Sequence, residues 1–215
     1  EQRRIKIMKR TRSERELWLA IQSKVGATPD GDPGPRTATS IAKFLQITDP
    51  TVTRAVAQAN WPRDRNSDLI AHYGEPGSNQ VRLQVPYPMR LAWDMNTELT
   101  SFYCHKKVAR PLGLIFDDLL AHYGLDQIQK LRLDRFGGCL NVRRKRGGTS
   151  WSTHAFGAAV DLDPDQNKLR WNQSKAAFAG PDYSAMWKIV ENHGATSLGR
   201  KRDYDWMHFQ FASTS

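Results

Sequence analysis

The clearest helical spacing in the first sixty residues lies at 13–25, where Leu17, Trp18, Ile21 and Val25 fall on one face. Ser13 can cap that helix, with Glu16 three residues on as its capping-box partner. Residues 26–35 are dense in Gly, Pro and Asp and predict a loop, and Thr37 to about Leu45 predicts a second short helix carrying Ile41, Phe44 and Leu45. The polar stretch Trp61–Asp68 reads as a linker. Beyond it, Val81, Leu83 and Val85 alternate with polar residues, as in a half-buried strand. Residues 98–123 carry Val108, Leu112, Ile115, Phe116, Leu119 and Leu120 and predict a helix that Pro111 bends or splits. Short strands are expected at Val160–Asp163 and Trp206–Phe211, and a helix at 183–193. The pattern predicts a small helical domain over 1–60, a linker over 61–68, and an α+β domain over 69–215.

Composition narrows the classes. The chain has 215 residues, 39% of them hydrophobic, enough for a packed core. No run approaches the ~20 apolar residues that cross a bilayer, and the charged start lacks the apolar stretch of a secretory signal. That start predicts folding in a cytoplasm. Cys104 and Cys139 are the only cysteines; they are expected to be free core thiols, since neither lies in a Cys-x-x-Cys pair. The net charge of +10 favours a polyanionic partner, with clusters at 1–12 and Arg143–Arg146. No helix-turn-helix, RNP or zinc-finger pattern accompanies it, so nucleic acid is not the expected partner.

The segment Ser152-Thr-His154-Ala-Phe-Gly157-Ala-Ala-Val-Asp161 carries the most chemistry. On one helix His154 and Asp161 would lie ~10 Å apart, too far for a single ion with donors at ~2 Å. On one strand they would point to opposite faces. A shared site therefore needs a break between them, which Gly157 can supply. Farther on, Asp205-Trp-Met-His208 offers a third donor with a carboxylate three residues before it, on backbone expected to be irregular. Two readings stay open at this point. His154, Asp161 and His208 hold a catalytic zinc with one position left for water and Asp205 as base; or they are structural histidines and a strand-end carboxylate.

The ordered pair Ser-x-His-x-x-Gly-x-Ala-x-Asp (Ser152, His154, Gly157, Ala159, Asp161) and Asp-x-x-His (Asp205, His208) resembles the M15 family of zinc peptidases. That family comprises D,D-carboxypeptidases, dipeptidases and phage endolysin endopeptidases. The resemblance covers roughly residues 69–215 and implies the hedgehog-like D,D-peptidase fold, a small antiparallel sheet with helices. It implies zinc bound by His154, Asp161 and His208, with Asp205 as the base. Asp at the base position, together with the segments 85–93, 136–143 and 146–148, looks like the L-alanyl-D-glutamate endopeptidases of phage lysins. In the family an upstream arginine steadies the oxyanion; Arg143 is the candidate here and Arg144 the second. Ser152 is expected to orient substrate or the site loop. Some members respond to calcium, which makes Asp163 and Asp165 candidates for a second ion.

The stretch Ile21-Gln-x-x-Val-Gly through Asp30-Gly31-Asp-Pro-Gly34-Pro35-x-Thr37, followed by Ile41 and Phe44, resembles a peptidoglycan-binding type 1 domain. Together the resemblances imply a modular, monomeric endolysin that cuts the L-Ala–D-Glu bond of the stem peptide. Peptidoglycan would be both substrate and anchor. The enzyme would be held in the host cytoplasm until release to the wall, without stable membrane insertion. The alternatives are a D,D-carboxypeptidase or D,D-endopeptidase, and, from another class, a non-catalytic wall-binding phage structural protein.

Overall fold

The structure is a computed structural model that describes residues 12–26, 29 and 61–214. The chain divides into two compact units, Glu1–Arg54 and Ala55–Ser215. In the first, helix α1 spans Arg12–Val25. Trp18, Leu19, Ile21 and Val25 are half-buried around a fully buried Gln22, whereas Leu17, expected on the inner face, is exposed. The helix expected at Thr37–Leu45, and the loop before it, lie outside the described residues.

The second unit is α+β. Its six-stranded sheet has the order β2-β1-β3-β4-β6-β5. The strands are β1 (Gln80–Leu91), β2 (Asp94–His105), β3 (Arg135–Gly138), β4 (Ala159–Leu162), β5 (Thr196–Ser197) and β6 (His208–Gln210). The helices are α2 (Asn66–Tyr73), α3 (Ala109–Lys130), α4 (Ser184–Asn192) and α5 (Leu198–Arg202). The sheet is mixed rather than antiparallel throughout, because β1 and β3 run parallel. After the β1–β2 hairpin, α3 carries the chain past β1 to its far side, so β3 runs antiparallel to β2 and parallel to β1.

Residues 98–105, expected to be helical, belong to strand β2. Phe102 and Cys104 alternate with exposed Tyr103, the two-residue period of a sheet with one covered face. The helix starts only at Ala109, so Pro111 sits in its first turn, where its missing N–H loses nothing. The break comes instead at Gly124, with φ 70° and ψ 164°. Leu112, Ile115, Phe116 and Leu119 form the buried stripe of α3. Phe116 meets Phe102 edge-on at 5.8 Å, and Phe102 stacks on Phe136 at 4.7 Å, joining helix, hairpin and β3. Each such buried side chain contributes about 1.5–3 kcal/mol.

The stretch read as a linker is held to this unit. The Asp64 N–H donates to Ser213 O, α2 starts at Asn66, and Leu69 is fully buried. Trp61 packs edge-on against Phe211 at 5.1 Å. Polar composition hid this role, because the segment is fixed mainly through its backbone and two apolar side chains. Among the described residues no helix is long and apolar enough to cross a membrane.

Candidate metal centre

Three elements bring the site together. Asp161 on β4 and His208 on β6 are register partners in an antiparallel pair. Partners of that kind project from the same face of the sheet, with Cβ atoms ~5 Å apart. Val160 and Leu162 face the other way and are buried. His154 arrives from the 3-10 turn Thr153–Phe156, which ends at Gly157 in the left-handed region, φ 64° and ψ 29°. That reversal turns the chain into β4 and brings His154 over Asp161, the break the seven-residue spacing requires.

The three side chains converge tightly. His154 Nε2 lies 3.2 Å from Asp161 Oδ1 and 3.1 Å from His208 Nδ1, and His208 Nδ1 lies 2.9 Å from Asp161 Oδ1. Tetrahedral donors at ~2.0 Å from one ion are separated by about 3.3 Å, so the triangle has the edge lengths of a zinc site. The outer nitrogens are also engaged. His154 Nδ1 sits 2.8 Å from the Cys139 carbonyl, and His208 Nε2 sits 3.0 Å from Gln210 Oε1. Both outer partners are acceptors, so each neutral ring carries its proton outward and aims a lone pair inward. Two lone pairs and a carboxylate meeting at one point suit a cation. This is also the one group of His, Cys, Asp and Glu among the described residues able to hold a metal ion.

Charge couples the three side chains, and a cation bound at His208 would displace a proton. Burial alone would raise the Asp161 carboxyl, but His154 and His208 hold it well below the usual carboxylate range. Burial opposes charge on His208, yet the Asp161 carboxylate pushes it up to about 9.

Asp205 stands beside the triangle rather than in it. Its backbone is left-handed, φ 56°, with its N–H on Leu169 O and its carbonyl accepting from the His208 N–H, so the expected irregular backbone is present. For this reason strand β6 begins at His208 and not at Trp206. The carboxylate is buried, and its Oδ1 has no hydrogen-bond donor among the described residues. Burial raises its pKa to about 6, against the pull of His208, His154 and Arg143. A buried carboxylate that titrates near neutrality can accept a proton and return it.

The basic run divides by what each side chain faces. Arg143 is half-buried and close enough to Asp205 to lower its pKa. Arg144 lies 3.5 Å over the Trp151 ring and donates to Thr149 O, and Lys145 pairs with Asp64 at 2.8 Å. Ser152 is buried and accepts the His154 N–H at 3.3 Å, capping the turn that carries His154. Asp163, considered for a second ion, is fully buried and paired with Arg132 at 2.6 Å; Asp165 also reaches Arg132, at 3.5 Å. Both carboxylates face that one guanidinium. Sequence reading missed Gln210 and the Cys139 carbonyl. Gln210 carries a legible signal, because two residues beyond His208 on a strand is the same face.

A family model described as D-alanyl-D-alanine carboxypeptidase, of the M15 peptidases, matches residues 146–211. The span includes His154, Asp161, Asp205 and His208 and begins after Arg143. The match supports a peptidase of the M15 family, whose members generally depend on zinc. Neither a curated protein nor a solved structure matches this chain.

Proposed function

We propose that this chain is a zinc peptidase of bacterial peptidoglycan, with His154, Asp161 and His208 as the metal ligands. The observation that carries the reading is the convergence of three donors within 3.2 Å of one another, both imidazoles oriented by outer acceptors, beside a buried carboxylate. Zinc held there supplies Lewis-acid polarisation of a carbonyl and renders water acidic enough to deprotonate near neutral pH. Asp205 accepts the proton of the attacking water and hands it to the departing amine. Arg143 steadies the negative charge that develops on the carbonyl oxygen, the term that usually dominates such catalysis. Ser152 keeps the His154 turn in place.

Within this class we assign the L-Ala–D-Glu bond of the stem peptide, in an endolysin whose N-terminal unit anchors it to the wall. Asp rather than Glu at position 205 and the flanking segments support this choice. The description of the matched family favours a second reading, cleavage of D-Ala–D-Ala. The net charge of +10 suits approach to an anionic envelope. Purified sacculi digested with the zinc-loaded protein and analysed by mass spectrometry decide between them. New N-terminal D-Glu is expected. Release of free D-Ala without it selects the carboxypeptidase, and intact sacculi with bound protein select the non-catalytic wall binder.

A further inference from the structure

The proposed metal centre has an outer support that neither the motifs nor the matched family's description names. Gln210 is 1% exposed and sits on β6 two residues after His208, on the same face. Its amide has one allowed orientation. The Nε2 end donates to Ala212 O at 3.2 Å, so the Oε1 end faces inward. A flipped amide would set oxygen against the Ala212 carbonyl, two acceptors in contact.

The inward oxygen meets two donors. His208 Nε2 lies at 3.0 Å and Thr153 Oγ1 at 3.2 Å, and the two use both lone pairs of the amide oxygen. Thr153 opens the turn that carries His154. One buried amide therefore touches the His208 ring directly and ties the His154 turn to β6. An amide oxygen only accepts, so the proton of neutral His208 must reside on Nε2, which leaves the Nδ1 lone pair directed at Asp161 and His154.

We propose that Gln210 is a positioning residue: the Ala212 carbonyl sets its amide, and its Oε1 fixes His208 as the Nε2–H tautomer that binds metal through Nδ1. The inference rests on the metal-centre reading. Losing an outer partner of a metal-bound imidazole typically weakens metal affinity about 10–100-fold.

The test is zinc affinity by chelator competition for wild type, Gln210→Leu and Gln210→Glu, with thermal unfolding of each metal-free protein. Gln210→Leu is expected to bind zinc about 10–100-fold more weakly. Gln210→Glu keeps an acceptor for His208 and Thr153 but sets its second oxygen against the Ala212 carbonyl, and it is expected to bind zinc more tightly than Gln210→Leu and more weakly than wild type. A role confined to packing predicts lower metal-free stability in Gln210→Leu with unchanged zinc affinity, and that result overturns the proposal. Long-range 1H–15N spectra of the zinc-loaded wild type provide a measurement independent of any variant's folding. A His208 proton on Nε2 is expected, and a proton on Nδ1 refutes the assignment. A wild type that binds no zinc defeats the metal reading itself, whereas wild-type affinity in Gln210→Leu defeats only the role of Gln210.

Discussion

Gly157→Ala probes how the backbone builds the site. At φ 64° an alanine pays the left-handed penalty, about 1–2 kcal/mol. Its Cβ would also collide with the Gln80 amide oxygen and come within 3.0 Å of the His105 amide nitrogen. Gln80 Nε2 donates to Ser78 O at 2.8 Å and to Phe156 O at 2.9 Å, so displacing the amide breaks two hydrogen bonds. At about 1 kcal/mol each, these bring the expected loss to about 3–4 kcal/mol. For a unit of this size each kcal/mol shifts Tm by roughly 2–4 °C, giving a fall of roughly 6–16 °C. Gly147→Ala is the control, because Gly147 has φ +73° with nothing within 4 Å of the added methyl. It carries the backbone penalty without the collision and should lose only roughly 2–8 °C. Thermal unfolding followed by circular dichroism, in chelator so that metal does not mask the effect, reads both. Equal shifts in the two variants would refute the reasoning, since the Gln80 collision would then contribute nothing. The same displacement pulls on Phe156 and so on the His154 turn, and zinc affinity should fall in Gly157→Ala alone.

Three further outcomes follow from the site and its surroundings. Asp205→Ala should keep zinc and lose at least about 100-fold in kcat, by the usual magnitude of general acid–base catalysis; an active variant removes Asp205 as the base. Arg143→Ala should lower kcat about 10²–10³-fold with little change in zinc content, while Arg144→Ala, whose guanidinium is stacked on Trp151, should stay near wild type; reversed effects would reassign the oxyanion role. His105 supplies a pH dependence. Burial, followed by Lys107 and Lys106, lowers its pKa in the folded state, where Nε2 contacts Tyr73 O and Nδ1 accepts the Lys107 N–H. The unfolded chain then binds the proton at higher pH than the folded one. The resulting stability is complete above the unfolded value of 6.5 and is lost as pH falls below it. Urea unfolding at pH 7.5 and 5.5 should show wild type losing more stability on acidification than His105→Gln, and equal losses would exclude the effect.

Much of the site was legible because its parts are short and local. His154, Gly157 and Asp161 fall within eight residues, and elementary geometry demands a break between two side chains seven apart that are to meet. The three-residue spacing of Asp205 and His208 likewise demanded irregular backbone, and Asp205 is left-handed. Strand β4 and helix α4 followed from periodicity alone. Local pattern misled where an apolar run fits both periods. Leu99, Phe102 and Cys104 could continue the helix of 109–130, and pairing with β1 decided for a strand. It misled again at 61–68, where a polar segment is fixed by backbone bonds that composition does not reveal.

Which chemical groups are present, and how the chain turns between neighbours, can be read along the chain: the two imidazoles, the carboxylates, the left-handed glycine. That Asp161 and His208, forty-seven residues apart, meet as register partners emerges only in the folded unit, because strand register is set by long-range pairing. Tertiary packing likewise brought Arg143 within electrostatic reach of Asp205 while stacking Arg144 on Trp151, and buried Gln210 behind the His208 ring. Four adjacent basic side chains look alike in a sequence; they differ only through what each one faces.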